Sequence, residues 1–257
     1  MEFFDSHSHY NDEKFDIDRE EIIKLTYEDG ITNIICAGYN IDSSKKAIEI
    51  AKENSYIYAI VGISPNDITK KENIEQEMHE IEKMLNNSKI VAIGEIGLDY
   101  YWNKENKELQ KEYFIKQIDI ANKYQLPIVI HSRDAFLDTI EILKNNTPVK
   151  KGVFHCVQLN QELIKQALKL DFYVSFAGPI TFKNTKNAEE IIKNIPLDKI
   201  LIETDSPYLS PEPNRGKRND SRNVKYVANK IAQIKQVSIE KIANITYENA
   251  KKIFEIK

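Results

Sequence analysis

The sequence predicts an α/β protein built as a (β/α)8 barrel, and three observations predict it. Eight short apolar runs recur along 257 residues, a length that suits one large barrel domain. A longer stretch with helical patterning follows each run. Side chains of the kind that bind metals gather at the ends of these runs, where parallel barrel strands would deliver them to one rim.

The first run, Phe3 to Asp5, leads into Ser6-His7-Ser8-His9. The second and third cover Ile31 to Ala37 and Ile57 to Ile63, and the fourth, Ile90 to Ile96, carries Glu95 near its end. Pro127 to His131, Gly152 to His155 and Phe172 to Phe176 follow, and the eighth run, Ile200 to Glu203, continues into Thr204-Asp205. Several runs are nearly continuous in Ile, Val and Phe, as strands buried on both faces should be. Between them lie amphipathic segments such as Ser43 to Glu53, Glu105 to Tyr124 and Gln161 to Leu170. In the last of these, Leu163, Ile164, Ala167 and Leu168 share one face. Alternating βα units imply parallel strands, and eight units imply closure. Two more helices are expected after the last strand, Asn223 to Gln236 and Ser238 to Ile253, the second capped by Ser238. No low-complexity linker divides the chain, so residues 1–257 read as a single domain.

Apolar residues make up 41% and charged residues 30%, and the net charge of −4 argues against a large polyanion interface while leaving room for a local basic site. Cys36 and Cys156 are too few and too scattered to staple a secreted fold, and both read as reduced, buried small hydrophobes. A Cys156–His155 nucleophile is disfavoured, because strand alternation would point the two side chains to opposite faces. The chain enters Glu2-Phe3-Phe4-Asp5 without a basic apolar leader, and no apolar stretch approaches membrane-spanning length. A cytoplasmic monomer that does not engage membranes is the expectation.

His7 and His9 are two residues apart, so on an extended chain both imidazoles point to the same side and can chelate one cation. His131 and His155 end the fifth and sixth runs, while Glu95 and Asp205 supply carboxylates at the ends of the fourth and eighth. A buried apolar run ending in an uncompensated carboxylate is costly unless a cation or a partner sits beside it. Mixed imidazole and carboxylate donors suit Zn²⁺, Mn²⁺, Fe²⁺ or Co²⁺, whereas Mg²⁺ prefers more oxygen. Six ligands suffice for two divalent cations, with Glu95 placed to bridge and Asp205 placed to take a proton from the attacking water. His79, in the polar helical stretch Glu72 to Leu85, is assigned no role.

These residues carry a family resemblance. His7-Ser8-His9, Gly94-Glu95-Ile96-Gly97-Leu98-Asp99-Tyr100, His131-Ser132-Arg133-Asp134-Ala135, His155-Cys156 and Glu203-Thr204-Asp205-Ser206-Pro207-Tyr208-Leu209 resemble the TatD family of metal-dependent deoxyribonucleases in order, spacing and total length. The resemblance implies a TIM barrel of the metal-dependent hydrolase type that hydrolyses DNA phosphodiesters with divalent metals, Mg, Mn or Zn. Carried over by position, His7, His9, Glu95 and Asp205 would hold one metal, and Glu95, His131 and His155 the other. Two departures fall near the rim. Ile63-Ser64-Pro65-Asn66-Asp67 stands where family members commonly carry His-Pro-His, and Val157-Gln158-Leu159-Asn160 replaces a usual Ser-Gly pair.

The loop Pro211 to Asn219 is the one dense basic stretch beside the proposed site. Arg215 and Arg218 could fork onto phosphate oxygens, with Lys217 adding charge, and Arg133 is a further phosphate candidate. Tyr100, Tyr101 and Trp102 crowd the loop after Glu95, where aromatic faces could either stack on nucleobases or pack internally. The leading expectation is an exonuclease-like phosphodiesterase acting on single-stranded DNA or strand ends. Its alternatives are a metal-dependent ester or amide hydrolase, such as an aminoacyl-tRNA deacylase, and a non-catalytic nucleic-acid-binding barrel.

Overall fold

All eight expected strands form, and they pair in parallel and in sequence order: β1 (Phe3–Ser8), β2 (Ile31–Ala37), β3 (Ile57–Val61), β4 (Ile90–Asp99), β5 (Ile128–Arg133), β6 (Gly152–Phe154), β7 (Tyr173–Phe176) and β8 (Ile200–Ile202). The computed structural model describes residues 1–68 and 70–257. Helices alternate with the strands: α1 (Arg19–Glu28), α2 (Ile41–Glu53), α3 (Ile74–Met84), α4 (Lys107–Tyr124), α5 (Phe136–Asn145), α6 (Gln161–Lys169) and α7 (Ala188–Lys193). Then α8 (Val224–Lys235) and α9 (Ile239–Ile253) follow the last strand. Local chemistry sets several starts. Asn40 and Ser43 form a reciprocal capping box on α2, Asn160 caps α6, and Ser238 Oγ accepts from Lys241 N–H on α9.

The seam between β1 and β8 closes through a few specific bonds rather than a full ladder. Ser8 bridges Ser206, Asp205 N–H donates to the His7 carbonyl at 2.9 Å, and Ser6 Oγ donates to the Ile202 carbonyl at 3.0 Å. Two ligand-type residues, His7 and Asp205, are therefore backbone neighbours although 198 positions separate them in the chain.

Strand boundaries depart from expectation at the rim. β4 runs on to Asp99, past Ile96, because β5 keeps pairing with it: Gly97 faces His131, Leu98 faces Ser132 and Asp99 faces Arg133. Gly97 is needed for that approach, since its φ is +137° and a Cβ there would lie 2.0 Å from the His131 carbonyl oxygen. β6 and β8 stop at Phe154 and Ile202, so His155, Glu203 and Asp205 sit just past strand ends.

Residues from every strand, among them Phe4, Ile35, Ile60, Ala92, Val129, Val153, Tyr173 and Leu201, meet in one apolar cluster inside the barrel. Ala250 and Ile253 of α9, with Phe254 and Ile256 beyond it, join that cluster from the N-terminal ends of the strands. Asn249 Nδ2 fastens α9 there by donating to the Leu197 and Ile200 carbonyls. A second, larger cluster fills the layer between strands and helices. Cys36 is buried and Cys156 half-buried, and both are free thiols. His79 is exposed on α3. Among the described residues no helix is long and apolar enough to cross a membrane.

Candidate metal centre

The strand ends bring all six expected ligands to one buried locus. His7 Nε2 lies 3.3 Å from His9 Nε2, and both face Glu95 Oε2, at 3.5 and 3.7 Å. Asp205 Oδ1 completes this group, 3.3 Å from His9 Nε2 and 3.8 Å from His7 Nε2. On the other side, Glu95 Oε1 lies 3.0 Å from His131 Nδ1 and 3.4 Å from His155 Nε2, which are 3.2 Å apart. One carboxylate thus offers a different oxygen to each pair of histidines. The groups are contiguous: the His7 and His155 rings stack at 4.0 Å, and His7, His155 and Asp205 also offer ligand atoms within 4.8 Å of one another.

These separations fit cations. Donors 2.0–2.2 Å from a common tetrahedral ion sit about 3.3–3.6 Å apart, inside the range that the six side chains span. Orientation agrees as well. His9 Nδ1–H donates to the Ala37 carbonyl at 2.9 Å, His131 Nε2–H to Asp99 Oδ2 at 2.9 Å, and His155 Nδ1–H to Glu203 Oε1 at 3.3 Å. Each bond holds one ring nitrogen as a donor and turns the other inward, where its lone pair serves a metal once that nitrogen is deprotonated. His7 Nδ1 has no partner among the described residues.

Without a cation the cluster holds protons. Burial works against charge on His9, His131 and His155, but the facing carboxylates outweigh it and raise all three, His155 well above the usual imidazole range. His7 goes the other way, lowered by burial and by the charge on His155. Burial would raise Glu95, yet the His155 charge and hydrogen bonds from His131, His155 and His7 hold it well below the carboxylate range. Asp205 is lowered too, its burial outweighed by the bond and charge of His9.

Three carboxylates without an assigned role in the sequence support this set. Asp99 touches His131 and also accepts from Asn66 Nδ2 at 3.2 Å and from the N–H groups of Tyr101 and Trp102, each at 2.9 Å. These donors override its burial and bring it down to about 2. Asn66, in the segment that departs from His-Pro-His, therefore acts on the ligand set through Asp99. Glu203 is fully buried, and its Oε2 has no partner among the described residues. Asp5 links both sides of the seam, accepting from Thr204 N–H, Thr204 Oγ1 and Ser221 Oγ, and burial pushes it up to about 7. The signal for Asp5 and Glu203 was present, since each ends an apolar run, whereas Asp99 lies past the run that ends at Ile96.

The expected substrate contacts divide. Arg218 is committed elsewhere, its guanidinium forked on Asp18 at 2.9 and 2.5 Å and donating to the Lys14 carbonyl at 2.7 Å. It latches the loop after β8 to the loop after β1, because a nearby carboxylate satisfies the fork that a phosphate would need. Arg215 lies over the Phe182 ring at 4.1 Å, and Lys217 is exposed. Tyr100 is a loop anchor: it is 8% exposed and its hydroxyl donates to Asp138 Oδ2 at 2.6 Å. Arg133 rests on Tyr101, with no carboxylate partner among the described residues. Strand alternation does not govern Cys156, which follows the end of β6 at φ +38°. Burial and the charges of Asp205, Glu203 and Glu95 raise its thiol well above the usual range, which keeps it protonated and poorly nucleophilic.

Comparison with known proteins agrees with this architecture. The profile of the family described as TatD related DNase matches residues 4–255. The uncharacterized metal-dependent hydrolase YabD of Bacillus subtilis is 43% identical over 254 residues, covering 98% of this chain and 99% of its own. The uncharacterized metal-dependent hydrolase YcfH of Escherichia coli K12 is 38% identical over 186 residues, covering 72% of this chain and 70% of its own. Among solved structures, the TatD homolog YjjV of Escherichia coli superposes with a TM-score of 0.92 at 23% identity, covering 99% of this chain and 98% of that one. The chain belongs to the TatD family of metal-dependent hydrolases.

Proposed function

We propose that this protein hydrolyses phosphodiester bonds of DNA, acting on single strands or strand ends with two divalent cations. The observation that carries the reading is Glu95, whose two oxygens face two separate histidine pairs. His7, His9, Glu95 and Asp205 would hold one cation, and Glu95, His131 and His155 the other. When bound, such a pair lowers the pKa of water and neutralises charge on phosphoryl oxygens.

The residues contribute orientation and proton transfer. Asp99, Glu203 and the Ala37 carbonyl hold three imidazoles in fixed tautomers. Asp205 serves as proton acceptor: its side chain is 16% exposed against 8% for Glu95, so a proton taken from the attacking water has a route to solvent. Arg133, beside Asp99 on the neighbouring strand, supplies positive charge for the substrate phosphate.

Amide hydrolysis through a carboxylated lysine on β4 is disfavoured by the position of Lys89. Its Nζ donates to the carbonyls of Asn54, Ser55 and Ile57, at the N-terminal end of the barrel. Product analysis on end-labelled single-stranded DNA and RNA with Mg²⁺, Mn²⁺ and Zn²⁺ tests the proposal, with aminoacyl-tRNA and a cyclic amide as competing substrates. Metal-dependent release of nucleotides from DNA ends is expected. Turnover of only the ester or amide, or no turnover by metal-loaded protein, would overturn it.

A further inference from the structure

Past the end of β4 the chain presents an aromatic surface that the hydrolytic site does not use. Tyr101 is 48% exposed and Trp102 69% exposed, and their rings meet edge to face at 4.9 Å. Exposing two adjacent large aromatics forgoes the burial that usually stabilises them. The Arg133 guanidinium lies over the Tyr101 ring, 3.9 Å from its centroid, and 5.5 Å from that of Trp102.

This surface is held firmly. Asp99 Oδ1 accepts both the Tyr101 and Trp102 N–H groups. Gln110 ties down the same turn: its Oε1 accepts from Asp99 N–H at 2.8 Å, and its Nε2 donates to the Asp99 and Asn103 carbonyls and to Asn106 Oδ1. Tyr100 anchors the loop from below through Asp138. The other carboxylate oxygen of Asp99 touches the ligand-type His131. A single side chain therefore bonds both the loop that carries the aromatic surface and a ligand-type histidine of the candidate metal centre.

We propose that Trp102, Tyr101 and Arg133 form a stacking ledge for an unpaired nucleobase of the strand whose phosphate enters the metal centre. The inference rests on the phosphodiesterase reading and deepens it. Every base offers a π-face, so the ledge would tolerate any sequence, and the guanidinium adds attraction for a ring and a neighbouring phosphate. A base inside a duplex has both faces covered by its neighbours, so the ledge favours unpaired bases of frayed or single-stranded ends.

Trp102 is the only tryptophan in the chain, so tryptophan emission, excited at a wavelength where tyrosine does not absorb, reports on this position alone. Metal-free protein titrated with a short single-stranded oligonucleotide should lose tryptophan fluorescence, whereas an oligonucleotide of abasic sites with equal phosphate charge should not quench it. In the metal-loaded enzyme, Trp102→Ala should lower kcat/KM on single-stranded DNA, relative to that on bis(p-nitrophenyl) phosphate, by about 5- to 150-fold. The loss should fall mainly on KM, and Trp102→Phe should restore most of it. Equal quenching by both oligonucleotides, no quenching by either, or an unchanged ratio in Trp102→Ala would overturn the ledge while leaving the hydrolase reading in place. Absence of all phosphodiester turnover would instead sink the hydrolase reading, and the fluorescence titration would still decide whether bases bind here.

Discussion

The two ends of this barrel are made from the same eight strands and solve opposite problems. At the N-terminal end, α9 and the residues after it cover an apolar interior, with Phe254 and Tyr247 packed against Phe4. At the C-terminal end, four imidazoles and two carboxylates crowd together, and burial alone would favour the neutral form of each. The first end is complete as built. The second holds donors at mutual distances suited to a cation, braced from behind by Asp99, Glu203 and Asp5. Stability is concentrated at one end and unspent electrostatic potential at the other, and the two should respond differently to substitution.

The largest contrast is expected from Glu95→Ala. Losing the shared carboxylate removes several kcal/mol of transition-state charge stabilisation, which is about a thousandfold or more in rate. Steady-state nuclease assays should show this loss with the fold retained by circular dichroism. Phe254→Ala should do the reverse. It should cost about 3–5 kcal/mol of stability and lower Tm by about 6–20 °C, while kcat measured well below Tm stays close to that of the parent.

Metal removal comes next. Reloading chelator-treated protein with a cation at a hundredfold excess over its Kd should raise Tm by about 5–10 °C in a thermal scan. Because His9, His131 and His155 are raised in the metal-free site, the cation must displace protons there. Binding should therefore release protons near neutral pH, and apparent affinity should rise with pH; pH-independent affinity between 6 and 8 would contradict this. The smallest effect is expected from Asp99→Asn, which keeps an acceptor for His131 but removes its charge. Metal affinity should fall toward the lower end of the roughly 10- to 100-fold loss typical of such partners, as read by competition with a chelating dye.

The eight strands and the gathering of the six ligand-type side chains at one rim were legible in the sequence for one reason: both follow from where apolar runs begin and stop. His131 and Asp205 could be placed at the rim because a buried strand has two ends and only one carried ligand-type side chains. Pairings across the barrel were not legible. Nothing local says that Asp18 occupies Arg218, that Asp138 holds Tyr100 inward while Trp102 stays out, or that Asn66 reaches Asp99. Those outcomes depend on loops brought together by closure, where periodicity carries no information. Asp99 was hidden for a related reason, since β4 outruns its apolar stretch only because Gly97 admits His131.

The central claim is that Glu95 serves two cations at once, and counting bound metal tests it most directly. Elemental analysis of dialysed protein loaded with Mn²⁺ or Zn²⁺ should give two ions per chain, falling below one in Glu95→Ala. One ion per chain in the parent, or two that persist without Glu95, would contradict the account.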